Sequence, residues 1–206
     1  IASSTSDLSS LVAALTAADA LPSVDLIGTL SGNGPFTVFA PTNAAFSALL
    51  GQLDGYDSLD DFDTDAEREL LAEILTYHVV AGVAAESTSL SDGGTVTTVQ
   101  GESITTRLSG GVSIEDATDT PANVTTADVL ASNGVVHIID KVLLPQAVID
   151  ALEAAAAEKD IVDLALENSD LSALVAALTE ADLVSALQAE GPFTVFAPTN
   201  DAFATF

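Results

Sequence analysis

Apolar positions recur with two different periods over the first fifty residues. Leu8, Leu11, Val12 and Leu15 fall at i, i+3, i+4 and i+7, one stripe of an amphipathic helix, with Ser6 and Asp7 placed to cap its start. Phe36, Val38 and Ala40 then alternate with Thr37 and Phe39, which predicts a short strand at least partly buried on both faces. Pro41 cannot donate to a ladder and ends it, and Thr42 or Asn43 caps a helix that returns Phe46, Leu49 and Leu50 to the core. Helical spacing resumes near Ala66, where Leu70, Leu71, Ile74, Leu75 and His78 share one face. From Val79 to Leu144 the pattern is β, in runs at Thr95–Val99, Ser103–Leu108, Val112–Ile114, Asn123–Thr126 and Val135–Leu144. Gly93-Gly94, Gly101, Gly110-Gly111 and Asn133-Gly134 mark the turns between them, and Pro145 closes the unit. Helices first and antiparallel strands later predict an α+β fold, and no helix alternates with the strands as a doubly wound sheet requires.

Part of this pattern occurs twice. Gly34–Asn43 returns letter for letter at Gly191–Asn200, and Asp7–Thr16 returns at Asp170–Thr179 with one serine changed to alanine. The chain therefore divides into a unit at 1–145, an alanine-rich helical linker at 146–159, and the opening of a second unit at 160–206. Asp160-Ile161-Val162-Asp163-Leu164-Ala165-Leu166 opens the second unit as a helix, and by alignment Ile1 falls opposite Leu164. The expectation is a first unit short of its leading helix, and a second, mostly helical unit that ends soon after its strand. A start at Ile1 and a repeat interrupted near Phe206 further suggest a window on a longer, processed tandem array. Phe193, Val195 and Phe196 would then find substitute cover from the first unit or from another chain, or else be poorly ordered.

Charge changes the picture more than length does. Thirty-one acidic residues stand against four basic ones, Arg68, Arg107, Lys141 and Lys159, for a net charge of -27. At low ionic strength such charge pushes a compact chain apart, whereas molar salt shortens the Debye length to about 3 Å. The composition points to a salt-rich medium and a halophile, with an acidic secreted protein of an ordinary marine organism as the alternative. Four scattered cations cannot form a nucleic-acid surface or bind an anionic membrane directly. Cysteine is absent, so no disulfide, thiolate nucleophile or cysteine-based metal site is available. No apolar run approaches the ~20 residues of a membrane span.

Candidate chemistry is sparse. His78 ends a helix and His137 lies in a strand between Val136 and Ile138, positions that suit core imidazoles bonded to backbone. No nucleophile elbow, phosphate loop or dinucleotide fingerprint is present, so neither a catalytic site nor a cofactor is expected. Asp61, Asp63 and Asp65 alternate like the start of a calcium loop, but Ala66 and Ala72 replace the glycine and the glutamate such a loop needs. No metal site is assigned, and a solvated acidic face is the plainer account. Asn123-Val124-Thr125 forms one glycosylation sequon.

Three motifs carry a family resemblance. Gly34–Phe46 resembles the first signature box of the fasciclin-like adhesion domain. Tyr77-His78 with the following Val-Val-Ala-Gly is similar to its tyrosine-histidine motif, and Ser132–Pro145 to its second box. The resemblance implies a wedge of β-strands packed with several helices, working non-catalytically at the cell surface or outside the cell, often in tandem. Animal members bind integrins near the tyrosine-histidine motif and an Asp-Ile pair. The matching positions here are Tyr77, His78, Asp128 and Val129, with valine replacing isoleucine. The expected partner is a surface protein or an extracellular polysaccharide, met with avidity by tandem copies. Self-association through the incomplete second unit is a further expectation. The alternative function is a surface protein that binds a small ligand or a cation such as calcium.

Overall fold

The computed structural model describes residues 5–53, 56–158, 160–188 and 191–205. The chain forms two compact units, Ile1–Ile149 and Asp150–Phe206. The first begins with a 3-10 turn at Ser6–Leu8, followed by α1 (Ser9–Ala18), α2 (Leu26–Ser31), β1 (Phe36–Pro41), α3 (Asn43–Leu50) and α4 (Asp65–Tyr77). Six strands follow: β2 (Val79–Ala81), β3 (Gly94–Thr97), β4 (Ser103–Arg107), β5 (Ser113–Glu115), β6 (Ala122–Ala131) and β7 (Gly134–Ile139).

The seven strands form one sheet in the order β2-β1-β7-β6-β5-β4-β3. Its pairings are antiparallel apart from β1 against β7, which run parallel with Val38 opposite Val136 and Phe39 opposite His137. The two strands that carry the signature boxes are thus neighbours in the interior of the sheet. Strand alternation then sends Phe39 and His137 to one face, where their rings stack at 5.6 Å. Phe39 belongs there to a buried cluster with Tyr77, Val80, Ile104, Ile114, Ala122, Ile139 and Leu143. The other face of β1 looks toward the helices, and Leu8, Leu11, Ala14, Phe46, Leu71, Ile74 and Leu75 are buried on that side of the unit.

Caps fix the helix starts, in one case not as expected. Thr42 accepts from Ala45 N and starts α3, and Thr64 and Glu67 close a reciprocal capping box at α4. Neither Ser6 nor Asp7 caps α1, because those residues lie in the preceding 3-10 turn. The orphan N–H of Ser10 is met instead by Asn43 Oδ1 at 2.8 Å, while Asn43 Nδ2 donates to Ser6 O and Ser9 Oγ. The last residue of the duplicated decapeptide is therefore a clasp between two helices. Asn200 makes the same three bonds, from Ala173 N and to Ser169 O and Ser172 Oγ.

Helix α5 (Gln146–Glu158) starts inside the first unit, with Val148 buried and the Gln146 and Ala147 N–H groups donating to the Glu102 carboxylate. The second unit holds α6 (Ile161–Glu167), α7 (Ser172–Glu180), α8 (Val184–Leu187) and α9 (Asn200–Ala204). Its copy of the strand sequence, Gly191–Thr199, pairs with no strand among the described residues, and Phe196 stays 92% exposed. Among the described residues of this unit no strand corresponds to β2 or β7, so the ladder that holds β1 has no counterpart there.

Candidate functional site

The tyrosine-histidine pair lies at the junction of α4 and β2, and both side chains are enclosed. Tyr77 Oη donates to Ser103 O at 3.2 Å. Burial, reinforced by Asp116 and Glu102, pushes its phenol up to about 12. His78 Nδ1–H donates to Ile74 O at 2.7 Å, and Nε2 accepts from Leu143 N at 2.9 Å. Burial pushes this imidazole down to about 4. Together the pair ties the end of α4 to β4 and to the chain leaving β7.

Asp128 and Val129 lie at the sheet surface, where the register of β6 against β7 shifts between Val124 and Thr126 and again between Thr126 and Val129. Asp128 adopts a left-handed backbone at φ 59, which aspartate tolerates better than most residues. Its carboxylate accepts from Ser87 N at 2.6 Å and from Ser87 Oγ, bonds that hold it below the usual carboxylate range. Its own N–H points to His137 Nδ1 at 3.4 Å, and His137 Nε2–H donates to Ala85 O at 2.9 Å. Thr37 Oγ1 donates to Val83 O and accepts from Ala85 N.

These bonds define the site. The segment Gly82–Ser89 leaves β2 directly after the tyrosine-histidine motif and is pinned from below by Thr37 of β1, His137 of β7 and Asp128 of β6. It exposes Val83, Ala84, Glu86 and Thr88, and beside it Leu130 is 67% exposed. A shallow cleft of about 480 Å³, lined by Pro35, Ala84, Glu86, Leu130 and Asn133 among others, opens between them. Asp128 and Val129 stand at this surface, whereas Tyr77 and His78 act from the interior by setting the course of the chain that reaches it. Ser87, Thr37, Glu86 and Leu130 went unnoticed in the sequence. Leu130 left one signal, a large apolar residue beside the expected motif and beyond the predicted end of its strand.

The remaining candidates are absorbed by the fold. Asn123 Nδ2 donates to Asp140 Oδ2, and Asn123 N to Asp140 Oδ1. Asp61 accepts from Ser58 N within its own turn. Among the described residues no group of three histidines or carboxylates converges on one point. Lys141 reaches the fully buried Asp116 carboxylate at 2.9 Å, and that carboxylate also accepts from Thr118 and from Leu144 N. Arg107 pairs with Glu115 and Arg68 with Asp65, so each described cation already faces an acid.

The family model of the Fasciclin domain matches residues 6–145 and again 169–206, which covers the sheet, the clasp and the cleft. The chain belongs to the fasciclin family. Protein sll1483 of Synechocystis sp. is 41% identical over 146 residues, 70% of this fasciclin chain and 71% of that protein. The immunogenic protein MPB70 of Mycobacterium bovis is 40% identical over 146 residues, 71% of this chain and 67% of its own length. The cell surface glycolipoprotein MPB83 of the same species is 40% identical over 126 residues, and the match spans 50% of it. A solved FAS1 domain pair from the insect cell adhesion molecule fasciclin I aligns with a TM-score of 0.46 at 18% identity, over 95% of this chain and 62% of that one. This is thus a fasciclin domain protein of a non-catalytic family, related to mycobacterial cell-surface proteins. No helix among the described residues is long and apolar enough to cross a membrane.

Proposed function

We propose that this chain is an extracellular or cell-surface adhesion module of a tandem fasciclin array, adapted to high salt. Its contact surface is the Gly82–Ser89 segment together with Asp128–Leu130. The observation that supports this reading is the way the segment is held. Three strands supply side chains that fix its backbone, so its exposed residues are presented without loss of loop entropy on binding. Leu130 and Val83 offer apolar contact beside the acidic Glu86 and Asp128, a mixture suited to a polar partner such as a surface protein or an extracellular polysaccharide. A single cleft this shallow binds weakly, and tandem copies raise the strength of attachment by avidity.

Retention of the chain on intact cells or on immobilised extracellular polysaccharide in molar salt tests the reading. Leu130→Asp should lower retention at least several-fold while leaving the thermal midpoint near that of the parent, because the side chain is exposed. Equal retention of parent and variant would exclude this surface.

A further inference from the structure

The two edges of the seven-stranded sheet meet at one point. Val99, two residues beyond β3, donates its N–H to Val79 O of β2 at 2.7 Å. Strands from both ends of the sheet line a pocket of about 330 Å³ on its inner face. The floor is Phe39 of β1, Val80 of β2 and Val96 of β3, which belong to the buried cluster or pack against it. The roof is the chain that leaves β2, through Val83, Ala85 and Leu90.

This pocket is formed before anything enters it. Thr37 Oγ1 donates to Val83 O and accepts from Ala85 N, and His137 Nε2–H donates to Ala85 O. At the other end of the roof Thr106 Oγ1 donates to Ser91 O at 2.7 Å. The roof is tied down at both ends, so a ligand orders no loop on binding. The same bonds engage the inner hydroxyls, Thr37 and Thr106, and leave mainly hydrocarbon facing the space. The volume lies at the low end of the roughly 300–1,000 Å³ of small-molecule sites, which are mostly apolar with a few polar groups.

Three features define the ligand. The walls are aliphatic apart from Phe39, whose ring already stacks on His137 at 5.6 Å. No charged residue lines the pocket, and the net charge of -27 repels an anionic head. Ser89, Ser91 and Thr95 are exposed where the pocket meets solvent, and hydroxyls suit an uncharged head that donates and accepts hydrogen bonds.

We propose that this pocket binds a medium-length acyl chain carrying an uncharged, hydroxyl-bearing head, the chemistry of a monoacylglycerol. The chain lies against Val80, Leu90 and Val96, and the head stays at the rim of serine and threonine. The pocket shares no lining residue with the cleft at Leu130, so it stands whether or not that cleft is adhesive.

Titration calorimetry of the full chain in molar salt with monodecanoylglycerol, kept below its micelle concentration, tests this. One molecule should bind per chain, and monooctanoylglycerol should bind about tenfold more weakly for its two missing methylenes. Val96→Phe, which fills the pocket, should weaken binding by at least about tenfold, since the chain then loses that much buried length. Should circular dichroism show Val96→Phe unfolded, Ala85→Leu closes the space from the roof and serves in its place. Leu130→Asp should bind as the parent does, and decanoate should bind the parent far more weakly than the monoglyceride. A parent that binds no monoglyceride overturns the proposal. So does binding that both pocket-filling variants retain, that Leu130→Asp loses, or that ignores chain length. Equal affinity for decanoate overturns the assignment of an uncharged head.

Discussion

His78 donates through Nδ1 to the Ile74 carbonyl and accepts through Nε2 from Leu143, so a second ring proton would break the bond to Leu143. Burial holds the folded ring at about 4, against an unfolded value of 6.5. Between those two values the unfolded chain takes up a proton that the folded chain refuses. Stability is therefore lost as pH falls from 6.5 toward 4, by about 3 kcal/mol from this group alone. Urea midpoints measured across that window should fall for the parent and fall less steeply for His78→Gln, because the carboxylates titrate alike in both proteins. Parallel slopes would mean that His78 is not the proton acceptor. The core role of His78 was legible from its place at the end of an apolar helical face. The role of Asn43 was not, because its clasp joins residues 33 and 37 positions apart that no local pattern links.

At the scale of elements, local signals are legible in the sequence and strand pairings are not. Alternation in Phe36–Pro41 located β1, and Thr42 and Thr64 sit where a helix start needs a hydroxyl. Removing one such cap, by Thr64→Ala, should cost about 1 kcal/mol in chemical denaturation, since Glu67 also loses its partner in the box. An unchanged midpoint would show that α4 is held by packing alone. Strand β6 runs to Ala131, well past the predicted Thr126, because a left-handed Asp128 and two register shifts interrupt its alternation without ending it. The parallel pairing of β1 with β7 was hidden for another reason. Period gives the face of a strand and says nothing about its neighbour, and these two lie at opposite ends of the unit. The cleft inherits both gaps: Asp128 was visible as a motif residue, while Ser87 and Thr37 became partners only through the tertiary path of Gly82–Ser89.

At the scale of the whole molecule, charge dominates. Lys141 is spent inside the fold on Asp116, and Arg68 and Arg107 each face a single carboxylate, which leaves a large acidic excess without a fixed counter-charge. The thermal midpoint should rise steadily from dilute to molar sodium chloride, and the fold should be lost well below molar salt. A flat profile in a thermal melt series would remove the case for adaptation to a salt-rich medium.

The unpaired copy of β1 in the second unit also affects how the chain folds. Phe193–Pro198 is identical to Phe36–Pro41, so β7 has no side-chain means of telling the two apart. The second copy is also nearer to β7 along the chain, which favours its encounter during collapse. The intervening helices give it a crossover long enough for parallel pairing. Among the described residues β2 and β7 pair with the first copy, so native topology rests on what accompanies the strand as well as on its own side chains. The chain carries its own decoy, and refolding should partition between the two pairings. Phe196→Asp, placed where the native fold leaves the ring in solvent, should raise the refolded yield after dilution from urea, and an unchanged yield would show that connectivity alone resolves the choice.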